Sequence, residues 1–297
     1  MTSGVLQLHP ASCCPAVLSL SKLLSWRCSR REAVLYRLEF ICCPEVETLH
    51  GTPGADMVLN GIKAVFFDMD NTLIDTSGAS KKAIEEVLKL LVDKSQFSEG
   101  EAQIICNHFQ TKLFHENFDS YKMTMDDLRV SHFETSMEEI RSGDYKDLAK
   151  ECYNIWKTCR LQLLTMSEST KNMLSELRKS TILVLLTNGQ RQVQREKIEA
   201  CGISPYFDAV VVGGEHAEEK PAPSIFLHCC DLVLVKPEDC VMVGDNLDTD
   251  ILGGLNAGLK ATIWLNRNPH ENSNPKPTPH YIIDCVTHLP DVLRNLQ

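Results

Sequence analysis

A chain of 297 residues, 43% hydrophobic and 24% charged, can bury a full core, which excludes a disordered or fibrous class. A formal net charge of −10 excludes counterion release against nucleic acid or an anionic bilayer, so neither is expected as a partner. No apolar run reaches the ~20 residues of a membrane-spanning helix, because Lys22 interrupts the best stretch, Ala16 to Leu24.

Residues 1–56 differ in composition from the rest of the chain. They hold Cys13, Cys14, Cys28, Cys42 and Cys43, and up to Arg31 they carry Lys22, Arg27, Arg30 and Arg31 with no acidic residue. That composition is similar to a mitochondrial presequence; the alternative is an unstructured leader with Met57 as a second start. The leader is the preferred expectation, and with it a cytoplasmic location. Along the whole chain the 13 cysteines include no C-x-x-C, so neither a disulfide framework nor zinc is expected. They read as thiols of a reducing compartment.

From Met57 the pattern becomes regular. Lys63 to Phe67 is a short apolar run with β-branched and aromatic residues, ended by Asp68-Met69-Asp70-Asn71-Thr72, and predicts a buried strand leaving a sheet. Similar runs occur at Ile182 to Leu186, Ala209 to Val212, Val241 to Val243 and Ala261 to Leu265, with a last short strand at Tyr281 to Ile283. Helical spacing separates them at Ser169 to Lys179, Arg191 to Ala200, Ala222 to Leu232 and Asp250 to Ala257. Strand alternating with helix predicts an α/β fold with a Rossmann-like, doubly wound parallel sheet. Segments Lys81 to Leu91, Glu101 to Leu113 and Lys146 to Leu161 show helical spacing without a strand signal. They predict a helical cap over 77–165, inserted into a core of 57–76 and 166–297. Such an insertion would stand over the ligand edge of the sheet as a lid, or would merely add stability. Asn266 to Pro279, rich in Asn and Pro, reads as a surface loop.

Polar residues fall where the apolar runs stop. Asp68 ends the first strand, Thr187-Asn188-Gly189 the second, Glu219-Lys220-Pro221 comes after the third, and Gly244-Asp245 ends the fourth. In a parallel sheet all of these converge on one edge. Any one alone would be a helix cap or a loop residue; in this order, with complementary charge, they point to a site. An Asp is ionised at neutral pH and needs no base to become a nucleophile, but an anionic substrate repels it. A phosphate dianion beside Asp68 and Asp245 leaves a sum of about −1 once Lys220 and Mg²⁺ are added, so the metal is required for approach. Asp68, the main-chain carbonyl of Asp70, and Asp245 would hold it. Asp70 is left for proton transfer, and Thr187, Asn188, Lys220 and the backbone N–H groups of Met69 and Asp70 for the phosphoryl oxygens. Asp75 reads as a cap residue, and Asp248 and Asp250 as helix-start or outer groups. His108, His115, His132 and His216 have no partner at metal-ligand spacing.

The stretch Val65 to Thr76, with Leu185 to Gly189, Glu219 to Phe226, and Val241 through Asp250, resembles the four motifs of the haloacid-dehalogenase-like superfamily. The resemblance implies a Rossmann-like core with a helical cap after the first strand. Within it, Phe67 to Thr76, Arg195 to Cys201 and Gly253 to Ala261 resemble the sialic-acid phosphatases, which share Asn71 where many relatives have Gly. That narrower resemblance implies a cytosolic hydrolase of N-acylneuraminate 9-phosphate, and hence a small sugar phosphate as substrate, with no protein partner inferred. It also implies Asp68 as nucleophile, Asp70 as acid and base, Thr187, Asn188 and Lys220 as phosphate binders, and Asp68, Asp70 and Asp245 as the magnesium site. Sugar-phosphate mutases keep the same motif residues and are the nearest alternative; a non-catalytic scaffold has no need of the crowded charges.

Overall fold

The computed structural model describes residues 61–94, 97–116, 118, 122–267 and 274–296. The extension expected over 1–56 lies outside the described residues, as do 268–273 of the Asn- and Pro-rich loop.

The alternation of apolar runs and helices becomes one six-stranded, all-parallel sheet. Strands β1 (Ala64–Phe67), β2 (Ile182–Thr187), β3 (Ala209–Val212), β4 (Cys240–Gly244), β5 (Ala261–Leu265) and β6 (Tyr281–Ile283) lie in the order β3-β2-β1-β4-β5-β6. The chain adds β2 and β3 on one side of β1, then crosses to β4 on the other. The crevice at the carboxyl end of β1 and β4 is therefore the switch point where open α/β sheets take ligands. Phe67 sits level with Leu185 and Val243, so Asp68 emerges one residue beyond a row formed by all three strands.

The strand period of two sorts side chains between two cores. Val65, Phe67, Leu183, Leu185, Val241 and Val243 face one. Ala64, Phe66, Val184, Leu186, Cys240 and Met242 face the other. Covered on both faces, the strands are continuously apolar, as parallel sheets require. Helices α1 (Thr76–Lys94), α2 (Glu99–Phe114), α3 (Met125–Glu138) and α4 (Lys146–Leu163) come after β1. They close a third cluster of their own, which includes Val87, Leu91, Ile105, Met137 and Trp156, with the ring of Phe109 stacked on Phe133 at 3.6 Å. Then come α5 (Glu168–Leu177), α6 (Arg191–Cys201), α7 (Pro223–Leu232), α8 (Leu252–Asn256) and α9 (Leu289–Asn295).

Two elements differ from the sequence expectation. Helix α3 had no counterpart there, because it buries only Met125, Phe133, Ser136 and Met137 and otherwise carries charged and polar residues. The helix expected over Asp250 to Ala257 begins earlier, as a wide π turn over Leu247–Ile251 that runs into α8. The Asn246 side chain nucleates that turn by accepting from both Asp248 N and Thr249 N. Among the described residues no helix is long and apolar enough to cross a membrane.

Candidate active site

At the carboxyl edge of the sheet, Asp68 and Lys220 are both buried. The Lys220 ammonium donates to Asp68 Oδ1 at 2.7 Å, to Asp250 Oδ1 at 2.8 Å and to the Leu186 carbonyl at 2.8 Å. An ammonium has three donors, so each is used. Lys220 is held there through its main chain: Asn188 Nδ2 donates to the Lys220 carbonyl at 2.7 Å, and Lys220 N donates to Asn188 Oδ1 at 2.9 Å. Gly189 N also donates to Glu219 Oε2. The Thr187-Asn188-Gly189 stretch therefore fastens the lysine loop to the end of β2. Thr187 itself is buried, with its hydroxyl beside the Asn188 carbonyl.

Asp250 is fully buried, and the π turn carries it inward beneath Gly244. A side chain at residue 244 would lie 2.1 Å from Asp250 Oδ2, so a glycine is needed for this approach. The carboxylates of Asp68, Asp245 and Asp250 offer oxygens that lie within 4.8 Å of one another. Burial pushes the Asp68 carboxyl up to about 7, with Lys220 opposing and Asp250 adding. Burial, and then the charge of Asp250, push Asp245 up to about 6. Such crowding invites a cation. The donor set suits Mg²⁺, which takes few carboxylates and otherwise water or phosphate oxygen. Asp250 is the least available of the three, since its oxygens already accept from Lys220 and from Asn246 N. Asp68 Oδ2 and Asp245 Oδ1 share only the Thr72 hydroxyl, at 3.2 and 3.4 Å.

Asp70 belongs to a second cluster. Its carboxylate accepts from Lys197 Nζ at 2.5 Å, Thr76 Oγ1 at 2.5 Å and Gln194 Nε2 at 3.1 Å. Burial alone would raise its pKa, but Lys197 and these hydrogen bonds outweigh it and hold the group below the ordinary carboxylate value. Between the two aspartates Met69 packs into the core, and its carbonyl accepts from Leu73 N and Ile74 N. Asn71 closes this turn with a left-handed φ of 57°, a conformation that suits Gly or Asn. Ser77 N donates to the Asn71 side chain, and Asp75 accepts from Gly78 N, joining the turn to the start of α1.

The structure thus brings Asp68, Thr187, Asn188, Lys220 and Asp245 to one edge, with the Asp70 carboxylate on a separate lysine. It adds three residues that sequence reasoning left aside. Asp250, expected at a helix start or outside the site, is the third carboxylate. Lys197 and Gln194 are buried on α6 and hold Asp70. Their signal was present: Gln194, Lys197, Ile198 and Cys201 recur at i, i+3, i+4 and i+7, so two long polar residues share the helix's inward stripe.

The sheet order, the helices inserted after β1 and the Asp, Thr, Lys and Asp at the sheet edge define a class. A family model for haloacid dehalogenase-like hydrolases matches residues 62–258, and the chain belongs to that family. The fold matches the crystal structure of a HAD phosphatase from Thermococcus onnurineus with a TM-score of 0.55 and 25% identity, over 78% of this chain and 98% of that one. Among proteins of that class, the chain is 55% identical over 241 residues to N-acylneuraminate-9-phosphatase of Rattus norvegicus, 81% of this chain and 97% of that one. It is 56% identical, with the same coverage, to N-acylneuraminate-9-phosphatase of Homo sapiens.

Proposed function

We propose that this chain is a magnesium-dependent phosphatase that converts N-acylneuraminate 9-phosphate into N-acylneuraminate and inorganic phosphate through a phosphoryl group carried on Asp68. The observation that carries the reading is the buried Asp68 carboxylate, held by Lys220 at 2.7 Å and crowded by Asp245 and Asp250. The relatives' names supply the substrate. The Asp68 carboxylate attacks phosphorus as the bond from phosphorus to the sugar oxygen breaks, and that oxygen takes a proton from Asp70. In the second half, Asp70 accepts a proton from water, which attacks the same phosphorus and frees Asp68. Lys197 favours the ionised Asp70 that this second half needs. Asn188, Thr187 and the N–H groups of Met69 and Asp70 are assigned to the phosphoryl oxygens. Lys220 orients Asp68, and reaches phosphate only by exchanging one of its three protein contacts. Mg²⁺, held by Asp68, Asp245 and the Asp70 carbonyl with Asp250 behind, would supply charge neutralisation and polarise a phosphoryl oxygen.

Residues 77–165 act in this reading as the cap, which Lys157 ties to α6 by donating to Glu196 at 3.0 Å. A cytosolic setting belongs to the proposal and accords with the free cysteines of the described residues. The test is phosphate release from a panel of sugar phosphates, with and without a chelator. N-acylneuraminate 9-phosphate should rank first, and chelation should stop turnover. Equal ranking with simple hexose phosphates removes the narrow substrate; an isomeric sugar phosphate in place of free phosphate makes the chain a mutase.

A further inference from the structure

Helix α4 presents Tyr153, Trp156, Lys157 and Arg160 at i, i+3, i+4 and i+7, one stripe of a helix. The stripe docks on α6, because Lys157 within it reaches Glu196 of that helix, which also supplies Gln194 and Lys197 to Asp70. Its other polar groups are matched. Lys157 also donates to Asp126 at 2.9 Å, Tyr153 donates to the same carboxylate at 2.5 Å, and the neighbouring Arg129 is held by Glu116 in a two-bond fork of 3.0 and 2.9 Å.

Arg160 is the exception. Its Nε is shielded from solvent with no hydrogen-bond partner, and among the described residues it makes no ion pair. The guanidinium lies 5.0 Å from the centre of the buried Trp156 ring, and the Arg160 side chain is itself half-buried. Burial lowers its pKa, and the charge of Asp70 is the first to oppose this. A second orphan lies beside Asp70. Both contacts of Gln194 Nε2, to Asp70 Oδ2 and to the Asn188 carbonyl, are with acceptors, so the amide orientation is set and Oε1 is left buried without a donor. A guanidinium nitrogen and an amide oxygen shielded from water without partners are costly unless a ligand completes them.

We propose that Arg160 binds a carboxylate on the sugar half of the substrate while Gln194 accepts from one of its hydroxyls, so that the cleft selects sugar phosphates that are also carboxylic acids. This rests on the phosphatase reading above. The phosphoryl group is not the anion in question, because that reading gives it to Asp68, Thr187, Asn188 and the N–H groups of Met69 and Asp70. Asp70 serves the leaving oxygen, so a cation in its field meets the leaving group, which is the sugar.

The test compares kcat/KM for N-acylneuraminate 9-phosphate and for a neutral hexose 6-phosphate in the wild type, Arg160→Met and Arg160→Lys. Loss of a charged hydrogen-bonding partner should lower the acid-to-neutral ratio on the order of 10²-fold in Arg160→Met, with Arg160→Lys between. An unchanged ratio overturns the proposal, even if both rates fall. Binding supplies an independent readout: N-acetylneuraminate should shift the melting temperature of the wild type more than its methyl ester does, and Arg160→Met should erase the difference. Equal shifts in the wild type sink the proposal. Absence of phosphate release from every ester by the wild type would instead refute the phosphatase reading, and the ester comparison would still report on Arg160.

Discussion

The sheet edge and the helical unit inserted after β1 use charge in opposite ways. At the edge, Lys220 and Asp250 are each 1% exposed at the side chain, and the ammonium is saturated by protein acceptors. In the helical unit the pairs range from Arg129 with Glu116, each 12% exposed, to Lys157 at 24% with Asp126 at 45%, and Arg160 Nε has no hydrogen-bond partner. A buried pair is expensive to break, because the survivor stays charged in a poor solvent. A half-exposed pair is screened and weak, so it costs little to break. The edge holds a saturated arrangement of charges, whereas the helical unit keeps one guanidinium nitrogen, Arg160 Nε, without a partner.

The sharpest way to break this contrast is Asp68→Asn, which keeps the shape and removes the nucleophile. Turnover should fall by at least about 10⁴-fold, measured as phosphate release by a variant whose circular dichroism is unchanged; surviving activity ends the proposal of covalent catalysis. Asp70→Asn should cost about 10²–10⁴-fold, since proton transfer is lost while the nucleophile remains. A variant as active as the wild type would remove Asp70 from that role. Lys220→Met strands Asp68 and Asp250 together and should cost about 3–5 kcal/mol in urea unfolding. Lys157→Met, in the cap, should cost under about 1 kcal/mol. Similar costs for the two lysines would erase the distinction between the regions.

Protonation sharpens it further. Asp68 and Asp245 have pKa values raised by burial to about 7 and about 6. A raised carboxyl adds stability that is complete below its ordinary value and is lost as pH rises through the folded one. Asp70, held below the ordinary range by Lys197, loses its contribution only in stronger acid. Metal-free protein should therefore melt at a lower temperature at pH 8 than at pH 5.5, and Mg²⁺ should raise the melting temperature more at pH 8. A magnesium shift independent of pH would show that these carboxyls do not form the ion's site.

Much of this molecule was legible because the information was local. Each β-strand is a short apolar run, and the residue that ends it is also the residue at the sheet edge, so Asp68, Thr187, Asn188 and Asp245, with Lys220 in the loop after β3, could be placed together from topology alone. Helix α3 was hidden by its sparse apolar residues, and the start of α8 by a π turn whose cause is one Asn246 side chain. Lys197 and Asp70 meet across 127 residues of chain. No periodicity within either segment records that meeting; only the docking of α6 against the turn after β1 does.

By itself, then, the order of residues determined the parallel sheet, the inserted helices and the class of chemistry, since these derive from periodicity and from what stands at the end of each strand. Tertiary structure decided which charges are matched: Asp250 drawn under Gly244, Asp70 given to Lys197, Arg160 left over Trp156. Pairing energies depend on distance and on exclusion of water, and neither exists until the chain has folded.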